Sequence, residues 1–214
     1  MDLNRLSREE INQMKIGPKY KIARRLGAPI FEKTQTQKYA LSLARKEKTG
    51  KRPPRAKSEF AIQMLEKQKA RFSYGVGERQ FRNYVRKALA SAEPVQRLFA
   101  LLESRLDNVL YRSGFSKTRS QGRQSSGHGH FMVNGRRATI PSIELKKDDK
   151  VSLRAGSVDS PLYAEIGEKM KELAVPTWIS VDPVKKEAEV KGVPTYVPNE
   201  NHFDLGAVIE FYSR

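Results

Sequence analysis

Leu102-Glu103-Ser104-Arg105-Leu106-Asp107-Asn108-Val109-Leu110-Tyr111-Arg112-Ser113-Gly114-Phe115 and, after a polar stretch, His128-Gly129-His130-Phe131-Met132-Val133-Asn134-Gly135-Arg136-Arg137 decide the fold. Val95, Leu98, Phe99, Leu102, Leu106, Val109 and Leu110 recur at i, i+3, i+4, i+7, i+11, i+14 and i+15. That spacing predicts one continuous helix from Glu93-Pro94, its stripe facing a core rather than a partner. Gly114 closes it, and Ser116 is the expected N-cap of the next helix. Residues 117–125 are polar throughout, and Arg119 and Arg123, four apart, share a face. Phe131-Met132-Val133 reads as a strand and 136–140 as its return. Asn134-Gly135 between them suits a tight hairpin turn, whose two central residues need positive φ. A further strand is expected at 150–154.

Upstream, Ser58-Glu59 opens a helix with Phe60, Ile62, Met64 and Leu65 on its apolar side, broken by Tyr74-Gly75-Val76-Gly77. Glu78 starts another, with Phe81, Val85 and Leu89 inward and Arg79, Arg82 and Arg86 on another side. Residues 1–57, punctuated by Gly17-Pro18, Gly27-Ala28-Pro29 and the stretch from Gly50 to Pro54, read as a weakly structured basic arm. Downstream, a helix is expected at 161–173. The tail alternates at 178–182 and 208–212 and so reads as β-like. The expected architecture is α+β: arm 1–57, helical body 58–92, and a small module of two helices and a hairpin at 93–171, its core at 103–166. The tail 172–214 should pack back onto the helical body.

Charge narrows the function. Among 214 residues, 41 Lys+Arg face 24 Asp+Glu, a formal net charge of +17. Residues 1–102 carry +15, 103–154 carry +6 and 155–214 carry −4. A field of that strength gathers polyanions, and nucleic acid gives it a purpose through counterion release. No apolar run approaches the 18 residues of a membrane span, and the segment after Met1 lacks the apolar stretch of a signal peptide. The absence of cysteine excludes disulfides and thiolate-held metals. His128 and His130 have no third ligand nearby in sequence, so they read as turn residues or RNA contacts, and neither Ser125 nor Ser126 beside His128 makes a triad. No cofactor or membrane partner is expected.

The block at 102–137 resembles the RNA-binding module named after ribosomal protein four of the small subunit, with Arg119, Arg123, Arg136 and Arg137 set around a groove for a phosphate backbone. Flanking segments extend the likeness. Gly17-Pro18-Lys19 with Arg24-Arg25-Leu26-Gly27, the stretch from Glu66 to Phe81, and the closing Ile209-Glu210-Phe211-Tyr212-Ser213-Arg214 are similar to that bacterial ribosomal protein itself. The resemblance implies a non-catalytic, primary binder of small-subunit rRNA that nucleates assembly of the subunit body. It also implies a place near the channel by which mRNA enters, a contact with ribosomal protein five, and residence in a cytoplasmic or organellar ribosome. The candidate RNA contacts are Lys51, Arg52, Arg55 and Lys57 of the arm and Lys67, Lys69, Arg71, Arg79, Arg82 and Arg86 of the body. In the module they are Arg105, Arg112, Lys117, Arg119, Arg123, His128, His130, Asn134, Arg136 and Arg137.

There are departures. Tyr20 and Ala23 stand where many relatives begin a zinc knuckle, so no metal site is expected. Residues 50–55 replace the family's usual Pro-Gly-Gln-His-Gly. The second module helix ends Gly122-Arg123-Gln124-Ser125-Ser126-Gly127 instead of in apolar anchors, which leaves it little to pack with. Two other functions are compatible with such a module: an RNA-modifying enzyme, which needs a catalytic domain beyond the arm and three helices left here, and a stand-alone RNA-binding regulatory or stress factor.

Overall fold

The computed structural model describes residues 16–49, 57–158, 160–198 and 200–214. Lys51, Arg52 and Arg55 lie outside them. Along the chain, α1 (Lys19–Leu26), a 3-10 turn (Glu32–Thr34) and α2 (Gln37–Thr49) precede α3 (Glu59–Tyr74), α4 (Glu78–Leu89) and α5 (Pro94–Glu103). Then come α6 (Leu106–Arg112), α7 (Arg119–Gly127), β1 (Phe131–Val133), β2 (Arg136–Ala138), β3 (Lys150–Leu153) and α8 (Ala155–Val158). A 3-10 turn (Pro161–Tyr163), α9 (Ile166–Glu172), β4 (Ile179–Asp182), β5 (Glu187–Val190) and α10 (Leu205–Ser213) follow. The described residues fall into two compact units, 16–98 with 196–214, and 99–195.

In the first unit the segment 16–49 is folded, which corrects the expected loose arm. Ala23, Leu26, Ala28, Ile30, Phe31 and Tyr39 form a small core joined by Leu65 and Phe72. Ala23 is fully buried there, and Tyr20 packs on Tyr39 with ring centroids 5.2 Å apart. Both positions of the absent zinc knuckle thus serve apolar packing. Ser58 caps α3, its Oγ accepting from the Ala61 amide at 3.4 Å. Gly75 ends the helix at φ 62, a left-handed turn that costs glycine little.

The inward face of α3 is not the expected one. Gln63, Lys67, Ala70 and Tyr74 are buried, while Phe60, Ile62 and Met64 are exposed. The reason is α10, which packs along α3. Gln63 donates to the Glu210 carboxylate at 3.0 Å, and the Lys67 ammonium sits 4.8 Å from the Phe211 ring centroid. Residues 208–212, expected as strand, are therefore helix. On α4, Phe81, Val85 and Ala88 turn inward and Leu89 is exposed.

The second unit is built on an antiparallel sheet in the order β2-β1-β3-β5-β4. Phe131 pairs with Ala138 and Leu153, Val151 with Ala188, and Ile179 with Val190. These seven residues are all buried, giving the sheet one apolar face, and Leu106, Val109, Leu110, Phe115, Tyr163, Ile166 and Met170 close over it. Residues 179–190 consequently belong to this sheet, and only 196–214 of the tail belongs to the helical unit. The helix expected at 161–173 is a 3-10 turn followed by the shorter α9.

The long helix expected from Glu93 is broken between α5 and α6. Arg105 is extended and bridges to Glu144, Leu106 donates to the Ile143 carbonyl at 2.9 Å, and Leu145 donates to the Ser104 carbonyl at 2.8 Å. The segment 143–145 thus takes over the backbone groups that a continuous helix would use. Leu98, Phe99, Leu102, Leu106, Val109 and Leu110 are nonetheless all buried.

Candidate nucleic-acid interface

The heart of the module is the crossing of α6 and α7. Thr118, not Ser116, caps α7, its Oγ accepting from the Gln121 amide at 3.1 Å. Gly122, Ser125 and Ser126 are buried, and a Cβ added at Gly122 would lie 2.7 Å from the Asp107 carbonyl oxygen. Close approach of two backbones, rather than large apolar anchors, holds this helix; the expectation of little packing was mistaken.

That approach assembles four arginines on two buried carboxylates. Arg105 donates through Nε and Nη2 to Asp107 at 3.0 and 2.8 Å. Arg123 donates to the same carboxylate at 2.8 and 2.6 Å. Arg112 makes a two-pronged pair with Glu103, both contacts at 2.9 Å. Asn108 donates to Glu103 at 2.8 Å and accepts from Arg119 Nε at 2.6 Å, while the Arg119 guanidinium lies 4.6 Å from the Tyr111 ring centroid. Burial on its own would raise the Asp107 pKa, but Arg105 and Arg123 together hold the carboxyl below the ordinary range. Arg105 is 2% exposed, so it is a structural counterion and not the expected RNA contact.

The hairpin supplies the exposed charge. Asn134 and Gly135 have φ 48 and 76, the paired positive values of the predicted turn. Arg136 and Arg137 are exposed, and Arg137 donates to the His128 carbonyl at 3.0 Å. The Arg137 side chain lies across Gly129, where a Cβ would collide with the guanidinium. The glycine of the His-Gly-His motif therefore makes room for an arginine. His130 meets Ser157 Oγ at 3.0 Å, and His128 is exposed. Asn134 has a different task from the expected one. Its amide donates to Asp149 at 2.7 Å and accepts from the Lys150 amide at 2.9 Å, tying the loop before β3 to the hairpin turn. That tie holds the loop bearing exposed Lys146, Lys147 and Lys150 against the hairpin turn, and Arg154, exposed, donates its backbone N–H to the His130 carbonyl at 2.9 Å. Lys117, just before the cap of α7, is exposed as well. Among the described residues no cluster of three or more potential metal-ligating side chains occurs.

Residues 14–109 match the family described as ribosomal protein S4/S9 N-terminal domain, and residues 104–151 match the S4 domain. The small ribosomal subunit protein uS4 of Roseiflexus castenholzii is 39% identical over 206 residues, spanning 93% of this chain and 98% of that protein. Its counterpart in Chlorobaculum tepidum is 36% identical over 199 residues, 91% of this chain and 96% of that one. That of Persephonella marina is 43% identical over 158 residues, 73% and 77% of the two chains. The chain belongs to the uS4 family. It is therefore a structural, non-enzymatic, rRNA-binding protein of the small subunit, with its place in the cytoplasmic ribosome.

Within this uS4-family chain, the helical unit divides its predicted contacts differently. Arg79, Arg82 and Arg86 are exposed along α4 and Lys57 is exposed before α3. Lys67 is 8% exposed and donates to Glu78 at 2.9 Å, so it is a packing residue and not an RNA contact. Tyr212 donates to the same carboxylate at 2.8 Å. Burial alone would raise the Glu78 pKa, yet its hydrogen bonds with Lys67 and Tyr212 and the charges of Lys67 and Arg71 bring it below the usual value. Lys69 is paired with Glu66 at 2.6 Å, and Arg71 lies on the Phe72 ring at 4.8 Å. Sequence reasoning missed Lys146, Lys147, Lys150 and Arg154, though the positive balance of 103–154 contained them. It also missed Glu103 and Asp107. Two carboxylates four apart in an otherwise buried stripe demand partners, and that was the available signal.

Proposed function

We propose that this chain is a primary binder of small-subunit rRNA that nucleates assembly of the subunit body. In this reading the module grips phosphates through exposed Lys117, Arg136, Arg137, Lys146, Lys147, Lys150 and Arg154, while α4 offers Arg79, Arg82 and Arg86 as a separate stripe. The single observation that supports it best is the pair of exposed arginines, Arg136 and Arg137, on a hairpin whose turn is fixed by hydrogen bonds. Phosphate contacts of this kind set register and orientation without chemistry. A position near the channel by which mRNA enters, with Arg52, Arg55 and Lys57 toward mRNA, and a contact with ribosomal protein five belong to the same proposal and rest on the family resemblance.

Arg136→Glu with Arg137→Glu tests it against Lys185→Glu with Lys186→Glu, the same charge change placed beside Asp182 and Glu187. Binding of structured small-subunit rRNA is followed across a salt series. The hairpin variant should lose several kcal/mol, at ~1.5–3 kcal/mol per charge-assisted contact, and the control far less. Neutralising four or more phosphates predicts a log–log salt slope of about −3 or steeper. Equal losses in the two variants, or equal affinity for duplex DNA, would refute the reading.

A further inference from the structure

We infer that Glu103 and Asp107 are positioning residues for RNA recognition, two buried carboxylates that fix the partly exposed guanidiniums of Arg112, Arg119 and Arg123 without cancelling their charge. The inference rests on the module being the RNA-binding face. Glu103 and Asp107 are each about 1% exposed. Arg105, its side chain 3% exposed, pairs with Asp107 from within and supplies the compensating charge. Arg123 meets the same carboxylate with 16% of its side chain still accessible, so the trio of Arg105, Asp107 and Arg123 keeps one formal positive charge. Glu103 holds Arg112, whose side chain is 30% accessible, and is 3.8 Å from Arg119, which is 17% accessible. Four guanidiniums on two carboxylates leave the cluster with two positive charges in excess.

The physical gain is preorganisation. A free arginine gives up rotamer freedom when it meets a phosphate, whereas one already clamped by a carboxylate lost that freedom on folding. Asn108 and the Tyr111 ring do the same for Arg119, fixing its Nε and its plane. The break between α5 and α6 has a role in this arrangement. Arg105 is extended there, with its side chain buried against Asp107 two residues on.

The test turns on sign. Asp107→Asn raises the formal net charge from +17 to +18, so simple polyelectrolyte attraction makes the full-length variant bind rRNA more tightly. Positioning makes it bind about tenfold more weakly, with a salt slope shallower by about one for each guanidinium that leaves its phosphate. The second variant, Arg123→Lys, keeps the net charge and loses the fork, and should weaken binding several-fold with the fold intact. Both are measured on a small-subunit rRNA transcript, with fluorescence of the sole tryptophan, Trp178, which packs against the module core, reporting folding. A folded Asp107→Asn variant that binds as tightly as the parent with an unchanged slope overturns the inference. Should that variant not fold, parental affinity in Arg123→Lys overturns it alone. Failure of Arg136→Glu with Arg137→Glu to weaken binding would instead strike the underlying RNA-binding reading, which keeps the two failures distinct.

Discussion

Gly122→Ala sets two effects of opposite sign against each other. Alanine in place of glycine inside a helix stabilises by about 0.8–1 kcal/mol. Here the new Cβ would lie 2.7 Å from the Asp107 carbonyl oxygen and 2.9 Å from Ser116 Oγ, where ordinary contact begins at 3.4 Å. The first neighbour is backbone in the first turn of α6, which cannot swing aside as a side-chain tip would. Relief therefore requires the helices to part by about 0.7 Å, and overpacking of this kind costs ~1–3 kcal/mol. Parting also pulls Arg123 from Asp107, so the upper half of that range applies and the net loss is about 1–2 kcal/mol. For a module of this size that lowers Tm by roughly 4–16 °C, read from Trp178 fluorescence on heating. Gly127→Ala in the same helix meets nothing within 4 Å and should hold Tm or raise it slightly. A Gly122→Ala variant that melts at or above the parent would refute the close-packing account of α7.

Acid should loosen the same module. The folded pKa of Asp107 is depressed, so its stabilisation is complete above the unfolded value of about 3.9 and is lost as pH falls through the lower folded one. Urea melts from neutral pH downward should show stability falling below about pH 4, a fall that flattens in Asp107→Asn; an equally steep fall in the variant would assign it to other carboxylates. On α4, Phe81→Ala should cost ~3–5 kcal/mol and Leu89→Ala no more than ~0.5 kcal/mol, since the first side chain is fully buried and the second 38% exposed. Equal effects in circular-dichroism melts would contradict the placement of that helix.

Where sequence and structure agree, a local rule was enough. Asn134-Gly135 dictated the turn, Ser58 and Gly75 the ends of α3, and β-branched residues with alternation the strand at 179–182. Disagreement arose where local rules were degenerate. Val208, Glu210 and Tyr212 alternate like a strand, but Leu205, Val208, Ile209 and Tyr212 also fit a helix. Asp204, accepting from the Gly206 amide at 2.7 Å, and the neighbouring α3 select the helix. The stripe through Leu102 and Leu106 gave no sign of a break, because the break is made by residues 143–145, some forty positions on. Polarity in α7 was legible, but its meaning was not. Serine and glycine there looked like missing anchors until the Asp107 carbonyl showed why nothing larger fits. The exposed charge was half visible, since Arg136 and Arg137 follow a turn signal, whereas Lys146, Lys147 and Lys150 lie on a loop that only the Asn134–Asp149 contact ties to that turn.

The interleaving of the two units imposes an order on synthesis. Residues 99–195 form one uninterrupted stretch, whereas the helical unit needs both 16–98 and 196–214. As the chain grows from its N-terminus, the module can close while α3 still lacks α10. Until then Gln63 is without Glu210, and the Lys67–Glu78 pair is without Tyr212 and the Phe211 ring. The portion made first is thus finished last, and a ribosome that stops short of α10 releases a chain with a complete module and an unclosed helical unit.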